Sequence, residues 1–524
     1  MRDSRKAPVL VLAAIAAVLA AALAVAGCGG SSSGGGGEPA SLASKDALVY
    51  IEANLAPEAK ASEEINELTE KVFGIDNVGE FIATELEKLG VENHEKFDFG
   101  EDIEPWVGEK AGLFLKELHG DNFTGGGFAI ETSNSGEAEE FLEKLAEEAP
   151  GGEKPEEGEF EGDRYWVQPH SESVIGVIGD YLAYGEDKAY FEEMVENAEN
   201  DEGLSESEKF KTAMEAAPEE GIGRVYVDLG GSIQSVDAET EAFFSLLQIQ
   251  PQKATLVGTI IPGSDQVELD VTTDVGKGTV QSGDASKLLE SLPATAVLGF
   301  ATPEFGKSLG TGIHGFSETG IPGQMEPGEL EAALEQIGIN LESLGENLGD
   351  AGGFVEGGGV GDVGGAMVIE TTNGGEARRL IAGIGLVLQA TGTEGVTATN
   401  GKITGFSVHS KKLGRKPLIV GSAGEKIVIA YGPKAAARAL RSSGATLGTT
   451  PDFEAAKGAL GSTPISLFID GGPGLKLLEG VLSPEEREEI ASARPYLQKI
   501  AYAAVGSEAK GRTTTAKVIV GLSR

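Results

Sequence analysis

One stretch of this chain is written twice. "GGFAIETSNSGEAEEFLEKL" begins at Gly126 and "GAMVIETTNGGEARRLIAGI" at Gly365, a constant offset of 239 residues. A repeat at fixed separation constrains a fold more than any local propensity does, because both segments must meet the same packing demands. The likeness follows the physics of a helix. Asn134 with Glu137, and Asn373 with Glu376, stand in the spacing of an asparagine-started capping box. Behind them Ala138, Phe141, Leu142 and Leu145 hold the i, i+3, i+4, i+7 stripe of an amphipathic helix, as do Ala377, Leu380, Ile381 and Ile384. Exposed positions diverge: Glu139, Glu140 and Glu143 answer to Arg378, Arg379 and Ala382. Packing positions that persist while surface positions drift point to duplication of one module.

Further pairs fall in the same order. "LAYGEDKA" from Leu182 answers "IAYGPKAA" from Ile429, and the segment Phe210 to Gly231 answers Phe453 to Gly474. "QKATLVGTI" from Gln252 answers "QKIAYAAVG" from Gln498, and an opening strand precedes each series, Ala47 to Ile51 and Thr295 to Phe300. Each copy then reads as that strand, one or two helices, a strand pair, the capped helix, and two short strands before the Tyr-Gly turn. Two helices, a strand ending in Asp228 or Asp470, and a closing hairpin complete it. Strand pairs joined by short turns imply antiparallel sheet. The expected fold class is α+β: two duplicated domains, each a mainly antiparallel sheet with helices packed on one face. The first repeat spans 45–278 and the second 285–524, joined by the polar "DVGKGTVQSGDAS" from Asp274.

The amino terminus has a different character. Arg2, Arg5 and Lys6 precede an uncharged run of Ala, Leu and Val that ends at Gly27, the layout of a secretory signal. Val25, Ala26, Gly27 and Cys28 resemble the bacterial lipobox, in which the cysteine sulfur receives a diacylglyceryl group and the preceding peptide, here 1–27, is removed. An uncleaved transmembrane anchor is the alternative, since about 20 apolar residues span a bilayer. Both readings place the rest outside the cytoplasmic membrane, but lipidation also explains why the single cysteine stands at the end of the apolar run. Two acyl chains anchor stably where one does not. The segment 28–44 is then the lipidated Cys28 with a Gly/Ser linker, whose 16 or so residues reach roughly 20 to 25 Å.

Charge is unevenly spread. Residues 38–275 contain 57 Asp and Glu against 15 Lys and Arg, whereas 276–524 contain 26 against 23, giving −42 and −3. Such acidity argues against nucleic acid or an anionic membrane surface as a direct partner, because both would repel it. The membrane is a partner through the anchor alone, and any protein partner or ligand stays open.

The chain resembles the domain of unknown function 3352 family, bacterial envelope proteins and lipoproteins. "SKDALVYIEANLAPE" and "LPATAVLGFATPE" at the openings of the copies, with "GDYLAYGEDKA" and "GEKIVIAYGPKA" after their middle strands, carry the resemblance. It implies no reaction and assigns no functional residue.

Motifs for chemistry are weak. "GVGDVG", Gly359 to Gly364, satisfies G-x-G-x-x-G but stands where a strand should follow, whereas a dinucleotide loop needs a helix. His94, His119, His170, His314 and His409 show no paired spacing for zinc. "EKPEEGEFEGDRYW" from Glu153 lacks the alternating ligands of a calcium loop and reads as a solvated acidic loop. "VGSAG" from Val420 lacks the first glycine of a nucleophile elbow, and "SEAK" from Ser507 fits S-x-x-K only within a hairpin. Asp228 with Asp470, and Glu131 with Glu370, recur in both copies, where capping and turn hydrogen bonds are the ordinary reason. No catalytic residue, cofactor or metal is assigned; Cys28, for lipid attachment, is the one site residue.

The expected function is that of a cell-envelope lipoprotein lipid-anchored on the extracytoplasmic side of the cell membrane, a non-enzymatic interaction or scaffold module. A carrier of a lipid-like amphiphile is the alternative, prompted by the apolar "RLIAGIGLVLQA" at 379–390. A hydrolase without a recognisable motif is a further one.

Overall fold

The structure is a computed structural model, described here for residues 38–57, 59–73, 99–119, 122–147, 154–169, 172–217, 221–233, 254–274, 283–310, 345–359, 361–440, 444–482, 487, 491, 493–511 and 513–523. It is a mixed α+β chain with antiparallel pairing between the described strands within each unit, and the described residues up to Asp274 and those from Gly283 onward fall into two compact units.

In the first unit the strands are β1 (Val49–Asn54), β2 (Val107–His119), β3 (Asn122–Thr132), β4 (Glu156–Phe160), β5 (Asp163–Val167), β6 (Val174–Ile178), β7 (Tyr181–Gly185), β8 (Gly223–Asp228), β9 (Thr255–Gly263) and β10 (Gln266–Asp274). They pair antiparallel in the order β10-β9-β8-β1-β2-β3-β7-β6-β5-β4. Helices α1 (Ala59–Phe73), α2 (Ser135–Glu147), α3 (Lys188–Asn200), α4 (Glu208–Glu215) and α5 (Leu229–Ile233) accompany them.

The second unit contains α6 (Ser286–Glu290), β11 (Leu298–Thr302), β12 (Leu348–Glu356), β13 (Gly364–Thr371), α7 (Gly374–Ala390), β14 (Val396–Thr399), β15 (Thr404–Val408), β16 (Leu418–Ala423) and β17 (Lys426–Tyr431). After these come α8 (Pro433–Ala439), α9 (Pro451–Leu460), β18 (Ile465–Asp470), α10 (Gly471–Val481), β19 (Ile500–Lys510) and β20 (Thr513–Leu522). The order here is β20-β19-β18-β11-β12-β13-β17-β16-β15-β14, which corresponds strand for strand to the first.

Helices cover both faces of each sheet, which corrects the expectation of a single covered face. In the first unit Tyr50, Phe114, Ala129, Ala183 and Tyr226 pack under Phe191, Met194 and Phe210 of α3 and α4. Val177, Leu182 and Trp166 point the other way, against Ala138 and Leu142 of α2. The second unit repeats this, with Val428, Ala430, Phe354 and Phe468 beneath α6, α8 and α9. Ile369, Phe406 and Ile427 lie beneath Ala377 and Ile381 of α7. A strand buried on both sides is apolar at successive positions, not alternate ones, and "VIGVI" of β6 and "KIVIAY" of β17 are such runs. Burial of these faces at about 25 cal/mol per Å² is the main term holding the layers.

Three further corrections follow. The Tyr-Gly turn is preceded by four strands in each unit, β4–β7 and β14–β17, where two were expected. The first of them is the presumed acidic loop: "EEGEF" forms β4, turns through Glu161 and Gly162 at positive φ, and pairs with β5. Its glutamates are exposed, so the strand carries no apolar signal.

The third concerns the linker. Pro39, Ala40, Leu42, Ala43 and Ser44 are buried, and Leu42 has no exposed surface. The Asn197 amide donates to the Leu42 carbonyl at 3.1 Å and the Leu204 N–H to the Ala43 carbonyl at 2.9 Å. A Cβ on Gly203 would stand 2.0 Å from the Ser41 carbonyl oxygen, so only glycine admits this segment. Pro39 to Ser44, expected within the linker, therefore belong to the first unit, and residues 28–37 of that expected linker lie outside the described residues. In the second unit Leu289 and Leu292 occupy the corresponding layer, and the Leu447 N–H meets the Leu292 carbonyl at 2.8 Å. The linker expected from Asp274 lies largely outside the described residues, as do Cys28 and residues 1–37.

Candidate functional site

The capping asparagines act as their spacing predicts, on one side of the box. The Asn373 side chain accepts the N–H groups of Gly375 and Glu376 at 3.0 and 3.3 Å, and Asn134 accepts that of Glu137 at 3.4 Å. Glu376 pairs with Arg379.

The "GVGDVG" segment is the loop between β12 and β13, with no helix after it. Asp362 accepts the Gly358 N–H at 3.2 Å and the Lys416 ammonium binds the carbonyls of Asp362 and Val363, so these groups are occupied in closing the turn. Ser507 and Lys510 lie on β19, where residues three apart point to opposite faces. Val420 to Ala423 lie in β16 with Gly424 in the turn, not on a strand-to-helix elbow. His94, His170 and His314 fall outside the described residues. His119 ends β2, and the His409 N–H donates to Gly395. Among the described residues no three His, Cys, Asp or Glu side chains gather as a metal would require. Glu131 accepts the Glu109 N–H at 3.1 Å, and Glu370 stands opposite Lys426.

What sequence reading missed is a set of half-buried charge pairs at matched positions. Lys116 of β2 binds both carboxylate oxygens of Glu193, the sixth residue of α3, at 2.8 and 2.9 Å. In the second unit the position of Lys116 on β2 corresponds to Glu356 on β12, because Phe114 and Phe354 hold equivalent registers. Glu356 pairs with Arg438, the sixth residue of α8, and Thr295 lies 3.2 Å away. The same strand-to-helix bridge is present with its charges reversed.

The recurring aspartates differ as well. Asp228 pairs with Lys209, the second residue of α4, and accepts the Gly231 N–H at 2.8 Å. At the second position of α9 stands Asp452, so Asp470 faces a carboxylate in place of an ammonium. Burial, and then the Asp452 charge, push the Asp470 carboxyl above its ordinary range. The capping role expected of both aspartates therefore holds for Asp228, while Asp470 makes no side-chain cap bond.

A third constellation has no counterpart. Glu52 of β1, 6% exposed, accepts Arg224 at 2.6 and 3.1 Å and the Tyr50 hydroxyl at 3.2 Å. Burial, then the Glu52 carboxylate, hold the Tyr50 phenol well above its usual value. Register places Ala301 at the matching site of β11. A cleft of about 290 Å³ is lined by Glu479, Arg487, Ala491 and Arg494, with Arg494 bound to Glu479 at 2.6 Å and Arg487 to the Leu482 carbonyl. No helix among the described residues is long and apolar enough to cross a membrane.

No curated protein matches the chain. Among solved structures it is similar to crystal forms III and I of TP0453, each at 11% identity and a TM-score of 0.26. The likeness covers 47% of this chain and 84% and 82% of those chains. The sequence profile of the family described as "protein of unknown function (DUF3352)" matches residues 8–520, nearly the whole length, and this chain belongs to that family.

Proposed function

We propose that this chain is a cell-envelope lipoprotein, tethered through Cys28 and displayed outside the cytoplasmic membrane as a non-enzymatic interaction or scaffold module built by doubling of one ancestral unit. The observation that carries the non-enzymatic part is the reversed bridge, Lys116–Glu193 against Glu356–Arg438. A reacting acid, base or nucleophile needs one sign of charge at its place. A pair that occurs in either sense serves packing and orientation, and it also favours common descent, since both partners changed together. The tether reading draws on the sequence of residues 1–37, in which the single cysteine ends the apolar run.

Radiolabelled palmitate is expected to enter the wild-type chain and to be absent from Cys28→Ala; incorporation that survives the substitution refutes the tether. The carrier reading draws on Leu386, 67% exposed on α7. Against it, Ile381 and Phe406 already fill the space beneath that helix. Native mass spectrometry separates the two: a co-purifying amphiphile supports the carrier, a bare chain the scaffold.

A further inference from the structure

The outermost strands of the two sheets are unlike. Among the described residues β4 pairs on one side only, with β5, and β14 only with β15. The first is guarded: Glu156, Glu157 and Glu159 are exposed along β4, and an approaching copy of the same strand would meet three like charges. The second, "VTAT", carries no charge, and Thr397 and Ala398 are exposed. It belongs to the half of the chain whose net charge is −3, where self-approach is least opposed.

Backbone geometry fixes which groups are free. The His409 N–H donates to the Gly395 carbonyl at 3.0 Å, and a Cβ at Gly395, φ +79°, would stand 1.9 Å from the His409 oxygen, so the inner register is locked. Alternation along an antiparallel ladder then turns Thr397 and Thr399 inward to β15 and leaves the N–H and C=O of Val396 and Ala398 pointing away. A two-fold axis through Thr397 would set Val396 of one copy opposite Ala398 of the other, matching these free groups reciprocally. Exposed Glu394 lies in the turn before the strand and exposed Lys402 in the bend after it, so an antiparallel mate brings opposite charges together at each end of the pair.

We infer that the free edge of β14 is an interface with a second copy of this chain, the two strands pairing antiparallel about a two-fold axis and the Glu394 and Lys402 side chains closing both ends. The pairing is isologous and closes on itself, as dimer contacts do. It does not depend on the anchor.

Light scattering of the full chain in mild detergent, across a dilution series, is expected to show a dimer that dissociates on dilution. Ala398→Pro removes an N–H that β15 does not use, a substitution edge strands tolerate. It should shift dissociation toward monomer by about tenfold or more with unchanged circular dichroism. Glu394→Lys and Lys402→Glu should each weaken the dimer, and the double reversal should restore it, a readout that stands even if the proline variant misfolds. A chain monomeric at every concentration overturns the inference and leaves the edge to a strand from another protein. A dimer indifferent to all these changes overturns it equally.

Discussion

The two units solve one packing problem with opposite charges. Where β2 meets α3, a lysine on the strand holds a glutamate on the helix; where β12 meets α8, a glutamate on the strand holds an arginine on the helix. Where α4 meets the end of β8, Lys209 neutralises Asp228; where α9 meets the end of β18, two aspartates face each other. The first contrast keeps a strand-to-helix bridge in place and reverses its polarity. The second shows a bridge in one unit with no equivalent in the other. Phe210 against Tyr226 and Phe453 against Phe468, with ring centroids 5.1 and 5.2 Å apart, hold the same two elements together in both units. Aromatic burial thus carries the joint whether or not a charge pair sits beside it.

The largest expected effect concerns the layer that opens each unit. Leu42→Ala and Leu289→Ala, each in a fully buried site, should cost about 3 kcal/mol, the first in the first unit and the second in the other. Both tryptophans, Trp106 and Trp166, lie in the first unit, so fluorescence during denaturant unfolding follows that unit and far-UV circular dichroism follows both. A fluorescence transition displaced by Leu289→Ala as strongly as by Leu42→Ala would break the division into two units.

A middle-sized effect probes the reversed bridge. Arg438→Ala strands the buried Glu356 and should cost about 2 to 3 kcal/mol, whereas Lys116→Ala, between two half-buried partners, should cost about 1 kcal/mol. Importing the first unit's polarity by combining Glu356→Lys with Arg438→Glu should recover most of the loss in circular dichroism melts. A double variant no better than its singles would show that the two bridges are not interchangeable.

The smallest effect belongs to the pair of aspartates, Asp452 and Asp470. Asp452→Lys should stabilise the second unit by a few tenths to about 1 kcal/mol, since Asp452 is exposed and solvent screens the gain. Its pH dependence has a definite sign. The folded Asp470 carboxyl holds its proton to higher pH than the unfolded chain, so wild-type stability falls as pH rises from the ordinary value of 3.8 through the raised one. The advantage of the lysine variant should grow over that window and vanish below it.

The strands that close each unit, the capped helices and the Tyr-Gly turns were legible because each rests on a local pattern, and both units supplied it. The covering of both sheet faces was less so: "YLAYG" and "KIVIAY" read as short apolar strands, and nothing within them says that two helices claim opposite sides. β4 was hidden because its glutamates face water on an outermost strand. The burial of Pro39 to Ser44 was hidden because small residues beside a glycine tract look like more linker, and only the carbonyl contact at Gly203 reveals the fit. The charge bridges were invisible for another reason. Lys116 and Glu356 are 240 residues apart and Glu193 and Arg438 are 245 apart, so no single sequence offset aligns both partners.

The place of β1 has a consequence for how either unit can assemble. It lies in the sheet between β2 and β8, with Tyr50 opposite Tyr226, 176 positions later in the chain. The meander β4 to β7 joins neighbours in sequence and can form from local contacts, which are quick to close. The seam at β1 is the reverse: one side of the earliest strand waits, with its backbone groups unsatisfied, until nearly the whole unit has been synthesised. A nascent chain cut short before Gly223 would therefore present an open, apolar strand at its centre, and such fragments should aggregate where the completed unit stays dispersed.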